Sequence, residues 1–249
     1  MELTFELLGI LFFVAILAGF VDAVAGGGGL LTIPALLLTG MNPVAALATN
    51  KLQGSAGSLS ASLAMIKKGV THPKYIKTAL ILAFVGSAIG AVLVQLSPPE
   101  FLKIAIPVVV GIMGLYTLFS PNLGAIKQKA KISHNAWQKG IVPIVGFYDG
   151  YFGPGTGTFF SLSGVVGRGM DLVTATGNAK LLNFATNIAS LIFFIIGGQV
   201  VWLVGTVMIV GQVIGAVLGA NMVVKGGAKY IRPMIVLMCF CMVARYVFW

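Results

Sequence analysis

Ten apolar runs follow one another along this chain, with only short breaks between them: 4–25, 28–39, 43–66, 75–97, 100–119, 138–152, 155–167, 171–197, 200–224 and 230–248. A helix needs roughly 20 mostly apolar residues to cross the hydrocarbon of a bilayer, and most of these runs are about that long. Only 9% of the residues are charged and 58% are hydrophobic, against about 25% and about 45–50% in an average soluble domain. With 16 basic and 6 acidic side chains, a water-facing surface for 249 residues cannot be assembled. The expected fold class is an all-α integral membrane protein. A soluble globular domain, a disordered chain and a secreted disulfide scaffold are excluded.

The formal charge of +10 does not point to nucleic acid. The bases gather between apolar runs: Lys67, Lys68, Lys74 and Lys77; Lys127, Lys129, Lys131 and Lys139; Arg168; Lys225, Lys229 and Arg232. Cytoplasmic loops of membrane proteins collect Lys and Arg in this way. With those loops inside, the turns at 40–42 and 197–200 fall outside, as do Glu2, Glu6 and Glu100. Both termini come out external if the runs at 4–25 and 28–39 form a hairpin on one side, and likewise those at 138–152 and 155–167. The start has no basic n-region and reads as a retained membrane helix rather than a signal peptide.

The runs at 28–39 and 155–167 are too short to cross comfortably. Each follows a break, Gly26-Gly27-Gly28-Gly29 in one case and Gly153-Pro154-Gly155-Thr156-Gly157 in the other. Gly weakens a helix and Pro interrupts its hydrogen bonding, so a broken or re-entrant helix is expected at each place. The two halves also repeat. Gly19-Phe20-Val21-Asp22 matches Gly146-Phe147-Tyr148-Asp149, Lys51-Leu52 matches Lys180-Leu181, and Gly86-Ser87-Ala88-Ile89-Gly90-Ala91 matches Gly211-Gln212-Val213-Ile214-Gly215-Ala216. A hairpin plus three crossings is an odd count, so the second copy lies upside down. The expectation is a first inverted repeat at 1–119, a basic cytoplasmic linker at 120–137 and a second inverted repeat at 138–249. Inverted repeats with facing broken helices are a transporter plan, with the site at the repeat interface.

Lys51 and Lys180 sit inside apolar runs, where a charge costs about 2.5–3.5 kcal/mol on the insertion scale. Three readings account for them: snorkelling to the interface, pairing with Asp22 or Asp149, or facing a cavity to neutralise an anion. Polar neighbours favour the cavity. Asn183 and Asn187 follow Lys180 on one helix face, Gly54 and Ser58 follow Lys51, and Asn50, Gln53 and Asn178 add polar atoms. Backbone N–H groups freed at a helix start attract anions, which brings in Gly27, Gly28, Gly29, Gly155 and Thr156. Asp22 and Asp149, just before the breaks, are structural partners of lysine or caps on one reading. On the other they are proton-coupling carboxylates. Gly86/Gly90 and Gly211/Gly215/Gly219 read as helix-packing glycines, within one subunit or between two, so a homodimer stays open.

Other features carry less. Cys239 and Cys241 read as apolar packers, His72 and His134 as solvated loop residues, and Trp137, Trp202 and Trp249 as interface anchors. No metal-ligand cluster, cofactor motif, G-x-S-x-G or nucleotide-binding loop is present in the sequence, which disfavours an intramembrane enzyme. A passive anion channel is the other reading.

Gly19-Phe-Val-Asp-Ala-Val-Ala-Gly-Gly-Gly-Gly-Leu-Leu-Thr-Ile-Pro34, followed by Ala48-Thr-Asn-Lys-Leu-Gln53, resembles the first-half motif of the sulfite exporter TauE/SafE family. Gly146-Phe-Tyr-Asp-Gly-Tyr-Phe-Gly-Pro-Gly-Thr-Gly157 and Asn178-Ala-Lys-Leu-Leu-Asn183 resemble its second-half motif. The likeness runs the whole length and is nearest the YfcA-like branch. It implies a permease of the bacterial cytoplasmic membrane that moves sulfite, sulfonates such as sulfoacetate or related small organic anions. Proton-coupled export is what it suggests, with import as the alternative.

Overall fold

The computed structural model describes residues 4–98 and 129–226 and, between them, 100–102, 104–106, 108–109 and 112. The run at 230–248, residues 120–128 of the expected linker, Cys239, Cys241 and Trp249 lie outside the described residues, and the run at 100–119 is described only in part. Among the described residues there is no strand. The helices are α1 Phe5–Ala25, α2 Gly29–Leu38, α3 Pro43–Lys67, α4 Lys77–Gln95, α5 Val142–Tyr151, α6 Thr156–Leu162, α7 Leu172–Ile196 and α8 Trp202–Gly226. A 3₁₀ turn, Pro73–Ile76, leads into α4. A wide π turn, Trp137–Ile141, leads into α5, and another, Ser163–Gly167, extends α6.

Local chemistry sets the helix ends. Asn42 Oδ1 accepts from Val44 N at 2.9 Å with Pro43 at the first helical position, and Asp171 Oδ1 accepts from Thr174 N at 2.9 Å. Both are N-caps of the favoured type. Helix α1 stops at Gly26, whose φ of +83° a side chain would resist, with its N–H on Asp22 O at 2.7 Å. The second break uses Gly153 and Gly155 at φ +89° and +77°.

Four described helical spans are long and apolar enough to cross a membrane: Phe5–Ala25, Pro73–Gln95, Leu172–Ile196 and Trp202–Val224. Helix α3 is 25 residues long but much more polar. It is an inner helix whose Thr49, Asn50, Lys51, Gln53, Ser55, Ser58 and Ser62 are all buried. The apolar excess is turned outward, at Ile10, Phe13, Leu17, Ile81, Ile89, Ile196 and Leu218 among others, as lipid requires.

Glycine lets the helices touch. Along α8, a Cβ on Gly211, Gly215 or Gly219 would strike the α1 backbone at Phe12, Ile16 and Phe20 in turn. Along α4, a Cβ on Gly86 or Gly90 would strike Pro143 and Phe147, while Gly146 and Gly150 of α5 press on Ala83 and Ser87. Both registers rise together, so each pair runs in parallel. These glycines pack inside the subunit. Helices α3 and α7 meet in the middle, α3 also packs on α8, and α4 also packs on α7. The pairings are thus reciprocal between the halves.

The two ends differ. At one end Lys67, Lys68, Lys74, Lys77, Lys129 and Lys131 are exposed. The segments there are tied together by Lys68 Nζ to Asn221 Oδ1 at 2.5 Å, Lys131 N to Gly167 O at 2.9 Å and Arg168 to Ile132 O at 2.5 Å. Thr71 Oγ1 donates to Asn178 Oδ1 at 2.5 Å at this end. Toward the other end, Val201 N donates to Thr49 Oγ1 at 3.2 Å. Thr49 stands two residues before Lys51, and Asn178 two before Lys180. Each inner helix is therefore latched to a loop of the opposite half at the corresponding turn. Trp137 corrects an expectation: it is 1% exposed and donates to Ser163 Oγ at 3.0 Å. A buried indole with a hydrogen-bond partner is a core residue, not an interface anchor.

Candidate functional site

The two helix breaks meet backbone to backbone. A Cβ on Gly157 would lie 2.6 Å from Gly26 Cα, and one on Gly29 would lie 3.6 Å from Pro154 Cα. Thr158 Oγ1 donates across the contact to Ala25 O at 2.7 Å. Thr156 Oγ1 closes its own break on Gly153 O at 2.9 Å, and the Tyr148 hydroxyl donates to Pro154 O at 2.6 Å.

The buried lysines pair with carboxylates of the opposite half. Lys51 Nζ lies 2.7 Å from Asp149 Oδ2, and Lys180 Nζ lies 3.4 Å from Asp22 Oδ2 and also donates to Asp22 O. Lys51 and Lys180 are 1% and 0% exposed, so neither snorkels. The pairing expected with Asp22 or Asp149 is present and crosses between halves. Asp22 Oδ1 further accepts from Gly28 N at 3.3 Å, so a carboxylate already occupies the start of α2, where an anion is favoured.

Between these pairs lies a polar cavity with about 20 Å³ of free interior volume, room for about one ordered water. Asp22, Asp149, Asn50, Gln53, Asn183, Asn187 and Gln212 present polar side chains to it, and Gly29, Gly54, Gly153, Gly155, Thr156 and Gly157 bring backbone. Asn50 Oδ1 gathers Thr32 Oγ1 at 2.5 Å and Gln53 Nε2 at 2.9 Å, and Asn187 Nδ2 donates to Asn183 Oδ1 at 3.0 Å. Gln53 Oε1 and Gln212 Oε1 are buried without a hydrogen-bond partner. No group of three or more His, Cys, Asp or Glu that could hold a metal occurs among the described residues.

The profile of the family described as "Sulfite exporter TauE/SafE" matches residues 11–246. The chain belongs to this family. A "Probable membrane transporter protein" of Haemophilus influenzae is 47% identical over 248 residues, covering 100% of this chain and 97% of its own. The "Probable membrane transporter protein YfcA" of Escherichia coli K12 is 47% identical over 242 residues, covering 97% and 90%. The "Probable membrane transporter protein ORF9" of a Sinorhizobium species is 39% identical over 244 residues, covering 98% and 94%. These relatives are named as transporters, not enzymes. No solved structure gives a significant match. This TauE/SafE member is a multi-pass membrane protein.

Of the residues singled out in the sequence, Asn50, Gln53, Asn183, Asn187, Gly29, Gly155, Thr156, Asp22 and Asp149 line the cavity of this TauE/SafE chain. Lys51 and Lys180 stand one carboxylate behind the wall. Ser58 does not reach it, since its hydroxyl donates to Gly54 O in its own helix at 2.7 Å. Asn178 is held away by Thr71 and Met170. Gly28 backs onto the Asp22 side chain, and Gly27 is buried beside it, off the wall. Gln212 was not singled out. The signal for it is an amide at the middle of the apolar run of α8, at the repeat position of Ser87, and Gly57 makes room for it by lacking a Cβ.

Proposed function

We propose that this chain is a secondary transporter that moves small anions out of the cell across the bacterial cytoplasmic membrane by alternating access. Sulfite, sulfonates such as sulfoacetate and related organic anions are the substrate class. The observation that carries this reading is the pair of buried, crossed Lys–Asp ion pairs flanking one polar cavity at the meeting of two helix breaks. Buried ionisable groups in a membrane protein mark substrate and ion paths. Reciprocal helix pairing supports two inverted repeats, with residues 120–137 as the linker between them, and the basic end supports a cytoplasmic assignment for that end, with both termini outside. A cavity with room for about one water favours a carrier over an open channel. The carrier must widen on one side to admit its anion.

The test is flux in proteoliposomes. Purified protein should move sulfite or a sulfonate with saturation at low concentration. Lys51→Met and Lys180→Met should each reduce that flux at least tenfold at equal protein content. Flux that never saturates would make it a channel, and normal flux in both variants would remove the lysines from the site.

A further inference from the structure

Two amide side chains at the cavity carry oxygens with nothing to accept. Gln53 and Gln212 are 1% and 2% exposed, and both line the cavity. Gln53 Nε2 donates to Asn50 Oδ1 at 2.9 Å, which orients that amide and leaves its Oε1 unpaired. Gln212 lies over Gly57, where a Cβ would stand 2.5 Å from its Cγ and 2.8 Å from its Nε2. Its Oε1 also finds no donor among the described residues. A buried acceptor without a donor bears its full desolvation cost, and nearly all buried polar groups in folded proteins are paired.

Holding helices together does not explain Gln212. Buried amides and hydroxyls often join membrane helices, and the repeat position of Gln212 shows that use. Ser87 stands there; its hydroxyl donates to Thr186 O at 2.7 Å and shares a hydrogen bond with Ser190 Oγ at 2.6 Å, tying α4 to α7. The repeat positions of Thr186 and Ser190 in α3 are Gly57 and Ala61, which offer Gln212 no side-chain partner. The longer side chain lines the cavity instead. Gln53 is equally one-sided, because its repeat position is Leu182. The lysines and aspartates of the site occur in both halves, whereas the two unpaired oxygens do not. Both carboxylates already face lysines, so these amides are the free acceptors of the site.

We propose that Gln53 and Gln212 form an acceptor subsite that selects anions bearing an O–H or N–H donor close to their charged group. This rests on the transport reading above and narrows its substrate class. A cargo with a hydroxyl or amino end gives the two oxygens a donor, while an alkylsulfonate of the same shape strands them in a closed site. Sites with buried hydrogen-bonding groups reject the analogue that lacks the matching group. The free volume of about 20 Å³ suits such an end group rather than a whole sulfonate. The remainder of the cargo enters as the carrier widens.

Purified full-length protein in liposomes tests this with three radiolabelled cargoes of one length: 2-hydroxyethanesulfonate, 2-aminoethanesulfonate and propane-1-sulfonate. They differ only in ending as hydroxyl, ammonium or methyl. At subsaturating concentration, at least one donor-bearing cargo should outpace propane-1-sulfonate by about tenfold or more, and the faster of the two tells oxygen donor from nitrogen donor. Gln212→Met keeps the length without the acceptor and should bring that ratio to within about twofold. Gly57→Ala displaces Gln212 without removing it and should lower the ratio in the same direction. A merely structural role would depress all three fluxes alike and leave the ratio unchanged. If propane-1-sulfonate moves as fast as both others, if the ratio survives Gln212→Met, or if sulfite or sulfoacetate moves while neither donor-bearing cargo does, the subsite is overturned and the transport reading stands. If no cargo moves at all, sulfite and sulfoacetate included, the transport reading falls and takes the subsite with it. Should Gln212→Met not fold, the wild-type ratio and Gly57→Ala decide.

Discussion

Replacing Lys51 by Met should destabilise the protein far more than the loss of one surface charge would. The ammonium and its carboxylate are 1% and 2% exposed and 2.7 Å apart, so solvent does little screening. Removing one member leaves Asp149 charged and unpaired among helices, a situation that typically costs about 3–5 kcal/mol. At about 2–4 °C per kcal/mol for a chain of this size, the midpoint in detergent should fall by about 6–20 °C. Replacing both partners, Lys51→Met with Asp149→Asn, removes the stranded charge and should return most of that loss, because a buried ion pair is often no more stable than a neutral replacement. The assay is a melting series of wild type, two single variants and the double variant in one detergent, with flux measured on each. The double variant should fold and still fail to transport. A Lys51→Met midpoint within about 2 °C of wild type, or a double variant no more stable than the single, would show that the pair is not the dry contact described.

Two further outcomes follow from the packing. Gly215→Val puts a branched side chain against the Ile16 backbone, and overpacking of this kind costs about 1–3 kcal/mol or more; folded yield and melting midpoint should both drop, while Gly40→Ala, with open space around it but a φ of +80°, should cost only the backbone strain of that turn. Breaking the latch at the basic end with Thr71→Ala and Asn178→Ala should raise labelling of a Gly54→Cys reporter by an impermeant thiol reagent from that end alone, with Cys239 and Cys241 replaced. Equal labelling from both ends, or none, would mean the latch does not hold the basic end closed.

Much of the helical layout was legible because caps and breakers punctuate the apolar runs. Asn42-Pro43 and Asp171 start α3 and α7 within a residue of the expected places, and the glycine breaks fall where they were read. The burial of Lys51 and Lys180 and the cavity-facing Asn183 and Asn187 were also legible, since charge in an apolar run and helical spacing are local signals. The crossing of the ion pairs was not. Whether Lys51 meets Asp22 or Asp149 depends on how the halves dock, which no spacing encodes. Ser58 shares the expected face, but a serine can satisfy itself on its own helix, and Asn178 is captured by Thr71, in a loop 107 residues away in sequence. Trp137 looked like an anchor by its place near a segment end; the π turn swings it under Ser163 instead.

Both loop-to-helix latches, Thr71 with Asn178 and Val201 with Thr49, are closed in the same conformation, around a chamber that holds about one water. A hydrated ion or a file of waters long enough to relay protons does not fit. Membranes rich in this protein should therefore hold an imposed voltage about as well as protein-free ones while both latches stay shut.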